Sequence, residues 1–131
     1  MPTHGRFLLD TNAVIAIFAN DRSAVELVQG CAECFLPAIE LGELYFGVSQ
    51  SSKANDNQKR IEEFNSHMPV LVCDHETAVH YGRIKHALRK AGTPIPENDV
   101  WIAAIASQHD LTLMSNDQHF DHVQGLVRAG W

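Results

Sequence analysis

Four short apolar runs, each too brief for a helix and each followed by a stretch with helical spacing, constrain this chain most. Arg6-Phe7-Leu8-Leu9, Cys34-Phe35-Leu36, Val70-Leu71-Val72 and Leu111-Thr112-Leu113-Met114 read as buried strands. Between them, apolar residues recur three and four positions apart. That spacing predicts helices from Asn12 to Ala19, Ser23 to Ala32, about Ile39 to Gln50, Lys59 to His67, His75 to Lys90 and Asn98 to His109. Ser51 to Asn57 reads as a loop or a helix start, Thr93-Pro94-Ile95-Pro96 as an extended loop, and Gly125-Leu126-Val127 as an edge strand. Strands that alternate with helices imply crossover connections. The expected fold is therefore an α/β/α sandwich of three layers around a mostly parallel sheet of four or five strands.

The length of 131 residues suits one domain spanning 1–131, and 45% hydrophobic residues suffice for one core. No apolar run is long enough to cross a bilayer, and Met1-Pro2-Thr3-His4-Gly5-Arg6 leads straight into a strand without a signal-peptide h-region. The expectation is a cytoplasmic protein with no membrane partner. Three cysteines, an odd number, argue against a disulfide framework. Cys31 and Cys34 form a C-x-x-C pair at a helix end, not at the helix start that a thioredoxin-like site requires. Cys73 with His75 would be the sole further zinc ligands, so the cysteines read as small buried hydrophobes.

A net charge of -6 looks wrong for a nucleic-acid binder, because phosphate affinity normally comes from Lys and Arg. Position changes that reading. Asp10 directly follows the first strand and Asp117 the fourth, where α/β folds bind ligands. Asp99 lies in the first turn of a helix after a Pro-bounded loop, and Glu43 lies inside the helix after the second strand. Clustered carboxylates suit magnesium or manganese, which take oxygen ligands and meet the phosphate themselves. Each acid alone has a structural explanation: an Asp after a strand caps the next helix, and an acid in a first helical turn favours the macrodipole.

Four segments together resemble a known family. Phe7-Leu8-Leu9-Asp10-Thr11-Asn12 resembles the opening strand motif of PIN-domain proteins, and Glu43-Leu44-Tyr45-Phe46-Gly47-Val48 the second motif, with its glycine four residues after the glutamate. Asn98-Asp99-Val100-Trp101-Ile102-Ala103-Ala104-Ile105-Ala106 is similar to the third. Leu113-Met114-Ser115-Asn116-Asp117-Gln118-His119-Phe120 is similar to the fourth, with Ser115 where many members carry threonine. The likeness runs from Arg6 to about Leu126 in the family's order and is greatest to VapC-type toxins of toxin–antitoxin pairs. It implies that Asp10, Glu43, Asp99 and Asp117 are catalytic and bind Mg2+ or Mn2+, with Thr11, Asn12 and Ser115 in support. It further implies endoribonuclease activity by a metal-activated water, leaving a 5′-phosphate and a 3′-hydroxyl. RNA is then the substrate, a cognate antitoxin the inhibitor, and the homodimer the usual assembly.

Other residues compete for roles. Glu40 lies three positions before Glu43, but Gly47 fixes the motif on Glu43 and leaves Glu40 in second place, with Glu97 and Asp121. His119, two residues after Asp117, could meet phosphate or protonate a leaving oxygen, although an exposed loop histidine is commoner. Arg83, Arg89 and Lys90, on the face opposite Ala78, Tyr81 and Leu88, could steer RNA or form an ordinary solvated face. Tyr45 and Phe46 are adjacent, so one of them must face a second helix or a partner. The main rival is a non-catalytic PIN-like module that grips RNA or protein, and the four intact acids count against it. A small-molecule phosphatase lacks its Gly-rich phosphate loop here.

Overall fold

The computed structural model describes residues 5–131; Met1-Pro2-Thr3-His4, read above as leading into the first strand, lie outside them. The chain forms β1 (Arg6–Leu9), α1 (Thr11–Phe18), α2 (Arg22–Gln29), β2 (Glu33–Pro37), α3 (Ala38–Ser49) and α4 (Ala54–Ser66). It continues through β3 (Val70–Leu71), α5 (His75–Ala91), α6 (Glu97–Gln108), β4 (Thr112–Met114), a 3₁₀ turn over Gln118–His122 and β5 (Arg128–Ala129).

The sheet has five strands in the order β3-β2-β1-β4-β5, every neighbouring pair parallel. Helices must carry the chain back after each strand, because a parallel neighbour cannot be reached by a hairpin. Winding runs outward from β1 to β2 and β3, then α5 and α6 return the chain to the other side of β1. The strand order therefore reverses between β1 and β4. Connections leave in opposite directions there, and a crevice opens beyond the strand ends. Leu9 pairs with Met114 at the last register position, and the Asp10 N–H still donates to the Met114 carbonyl at 3.0 Å.

Alternation along β1 builds the two cores. Leu8 packs with Leu113, Phe120 and the inner residues of α5 and α6, while Phe7 and Leu9 pack with Met114 and residues of α1 to α4. Both faces of the sheet are covered, which is the expected three-layer sandwich. In α6, Ile102 to Ala106 are all buried, so this helix is apolar all round rather than striped. That burial fixes Asp99, one turn earlier.

Three expectations change. First, α4 begins at Ala54, earlier than the apolar spacing predicts, because Ser51 Oγ takes N–H bonds from Lys53 and from the Asn57 side chain and so organises the polar entry. Second, the edge strand is Arg128–Ala129, not Gly125 to Val127. Val127 is 62% exposed and only its carbonyl joins the ladder, accepting from Leu113 N. Third, the cysteines are not simple buried hydrophobes. Cys31 and Cys34 are half-buried and bridged to each other across the turn into β2, and Cys73 is exposed.

Candidate metal centre

The site grows from the reversal point. Asp10 ends β1 with extended backbone and caps α1, its Oδ1 accepting the Thr11 N–H at 2.9 Å. Its Oδ2 accepts the hydroxyl of Ser115, just past β4, at 2.7 Å. The same Ser115 oxygen accepts the Asp117 N–H at 3.0 Å. One buried hydroxyl thus ties both strand ends together. Asp10 is only 5% exposed.

Asp99 enters from α6, whose first turn follows Pro96. Burial pushes its carboxyl above the ordinary aspartate value, and the negative charge of Asp10 pushes it further; His119 pulls the other way. His119, in the 3₁₀ turn, lies between two acids. Its Nε2 is 2.8 Å from Asp99 Oδ2 and its Nδ1 is 3.1 Å from Asp117 Oδ1. Glu43 is exposed on α3, taking the Thr11 hydroxyl at 3.3 Å and the Asn98 side-chain amide at 3.5 Å. The neighbour of Asp10 and the neighbour of Asp99 therefore both hold Glu43.

Glu40 is the acid that sequence reasoning undervalued. It is fully buried beside Asp10, and the Thr11 backbone N–H offsets that burial only in part. Burial raises its carboxyl well above the usual value, and the Asp10 carboxylate adds to the rise. The available signal was its position: the first turn after Pro37 must sit over the end of β2. Asn12 Oδ1 is buried without a hydrogen-bond partner.

The donor set fits a divalent cation. Asp99, Asp117 and His119 each bring one ligand atom within 4.8 Å of the others, and Asp10 adds its charge to Asp99. Carboxylates crowded against one another are what such an ion relieves.

The other candidates stand apart. Among the described residues, Arg83, Arg89 and Lys90 of α5 make no hydrogen bond or ion pair with the four acids. Arg83 instead borders a cavity with Ile84 and His122. Glu97 pairs with Lys85 at 2.7 Å and takes the Tyr81 hydroxyl. Asp121 is held by the fork of Arg128 at 2.8 and 3.0 Å, an anchor no sequence pattern announced. Tyr45 packs on the core, and Phe46 is 66% exposed.

Comparison with known proteins agrees with this architecture. The PIN domain family model matches residues 7–126, and the chain belongs to that family. The chain is 34% identical to ribonuclease VapC2 of Haemophilus influenzae, over 96% of this chain and 98% of that protein. It is 29% identical to the tRNA(fMet)-specific endonuclease VapC of Salmonella typhimurium, over 96% and 98%. The crystal structure of VapBC2 from Rickettsia felis, bound to a DNA fragment from the promoter, superposes with a TM-score of 0.86. Its identity is 28%, with 96% of this chain and 98% of that chain covered.

Proposed function

We infer that this chain is a metal-dependent endoribonuclease, the toxin of a toxin–antitoxin pair, acting in the cytoplasm on RNA. The observation that carries the reading is the convergence of Asp10, Asp99 and Asp117 at the strand-order reversal, with Glu43 tied in through Thr11 and Asn98. Asp10, Glu43, Asp99 and Asp117 hold Mg2+ or Mn2+ in this proposal. When bound, the ion supplies Lewis-acid charge for the phosphodiester and activates water. The chain's own residues orient and hold. Ser115 and Thr11 N–H fix both oxygens of Asp10, and the Thr11 hydroxyl fixes Glu43. The likeness to proteins named ribonuclease and endonuclease supports RNA as the substrate.

An antitoxin partner is supported by the VapBC complex and by a surface feature. An apolar cavity of about 340 Å³ lies between α1, α3 and α4, lined by Ile15, Phe18, Leu44 and Val48 and bordered by Thr11 and Glu43. A partner segment laid there sits against the acids and blocks them. The proposed assembly is a homodimer carrying this antitoxin.

Cleavage of a labelled tRNA pool and messenger RNA in Mg2+ or Mn2+ is the test. The expected result is cut products that vanish with chelator and with Asp10→Asn, a loss of at least about a hundredfold. RNA retained without cleavage, at any metal concentration, returns the chain to a binding module.

A further inference from the structure

Among the described residues, Arg60 is the one cation that lines the cavity bordered by Thr11 and Glu43. It reaches there from α4 and is held in place. Its Nη2 donates to the Phe18 carbonyl at the end of α1, at 3.0 Å, and its guanidinium carbon lies 4.7 Å from the centre of the Phe18 ring. Phe64 meets that ring edge-on at 5.2 Å, so the platform beneath the guanidinium is itself packed. One of the five guanidinium N–H groups is thereby used. Among the described residues, no carboxylate lies within ion-pair distance of Arg60. A bond to the last carbonyls of a helix accounts for one donor. It leaves a fixed positive fork without a counter-charge, in a chain of net charge -6.

We propose that Arg60 is a substrate-binding residue whose guanidinium holds a phosphate of the RNA strand to one side of the cut. This rests on the endoribonuclease reading above and gives the strand a path. An α-helix rises ~1.5 Å per residue, so the Phe18 carbonyl that holds Arg60 stands roughly 10 Å along α1 from Thr11, which holds Glu43. A strand whose cut phosphate sits at the acids therefore runs only about two turns of α1 before a neighbouring phosphate meets Arg60. The planar fork matches two phosphate oxygens, and holding it in advance lowers the entropy lost on binding. Ile15, between these two points on α1, is apolar and offers a phosphodiester no hydrogen bond. The strand is thus gripped at Arg60 and crosses the apolar lining without filling it. An antitoxin segment seated in the same cavity lies across the RNA path as well as against the acids.

The test is binding and cleavage of a labelled single-stranded oligoribonucleotide by the full chain over a range of salt concentrations. Arg60→Gln should raise KM about tenfold while changing kcat by less than about threefold. Its log–log dependence of RNA affinity on salt should become shallower by roughly 0.7, the value of one phosphate contact on a single strand. Arg60→Lys keeps the charge and loses the fork, so it should restore the salt slope and only part of the affinity. Unchanged KM and slope in Arg60→Gln, whether or not its melting temperature falls, overturn the proposal and reduce Arg60 to a brace at the end of α1. Weaker antitoxin capture with unchanged RNA kinetics overturns it too, and makes Arg60 a contact for the antitoxin alone. RNA that is bound but never cut, with an affinity that still falls in Arg60→Gln, overturns the nuclease reading and leaves the phosphate contact standing. Failure of the unchanged protein to bind RNA at all overturns both.

Discussion

Ser115 shows how little separates a structural from a functional role at single residues. Its buried hydroxyl donates to buried Asp10 and accepts from the half-buried Asp117 N–H. Ser115→Ala removes both bonds and leaves buried polar groups without partners, which costs about 1–3 kcal/mol. Thermal unfolding should fall accordingly, and metal affinity should weaken because Asp10 loses its anchor. Glu40 behaves in the opposite sense. Its carboxyl is raised by burial and then by Asp10, so folding favours its protonated form. That contribution is complete below the ordinary value of 4.5 and is lost as pH climbs toward the raised folded value. In chelator, Glu40→Gln should therefore match the unchanged protein in acid and be the more stable at about pH 8, by several degrees in Tm. Equal melting temperatures at alkaline pH would show that Glu40 carries no buried charge cost. The acids at strand ends were legible because an apolar run stops at each of them. Glu40 was not, since its burial comes from where Pro37 ends β2 and not from any periodicity.

At the scale of elements, the strongest local signals lie where caps and patterns agree. Asp74 and Thr77 form a reciprocal capping box at the start of α5, and Gly92, at φ 73°, closes its end in the left-handed region. Nothing crowds a side chain at Gly92, so Gly92→Ala should cost only the backbone conformation, about 1 kcal/mol, readable in denaturant midpoint. A loss much larger than that would mean the turn toward α6 and Asp99 has shifted. The six helices and the first four strands were readable because their apolar spacing also fixes which face is buried. The fifth strand was not. Apolar residues pointed to Leu126 and Val127, but pairing there is set by backbone and by Arg128, clamped to Asp121 and donating to the Ser115 carbonyl at 3.1 Å. The C-x-x-C pair was misjudged for a similar reason: proximity of Cys31 and Cys34 depends on the turn into β2, which cysteine counting does not encode.

At the scale of the whole molecule, strand order decides function more than any single motif. Periodicity named the strands but could not say that β1 lies at the centre with β4 beside it, and only that order brings Asp10 and Asp117 to one crevice. The apolar cavity next to Glu43 follows from the same topology, because α1, α3 and α4 share one face of the sheet. Ile15 lines that cavity and is 55% exposed, so Ile15→Lys should leave folding and RNA cleavage intact while weakening antitoxin capture at least about tenfold. Unchanged capture would place the partner on another surface.

The most direct measurement is anomalous diffraction from crystals of the full chain soaked in Mn2+. The account predicts a peak at the end of β1 and β4, about 2.0–2.6 Å from carboxylate oxygens of Asp10 and of Asp99 or Asp117. Crystals that show no such peak, from protein that still cleaves RNA in Mn2+, would contradict it.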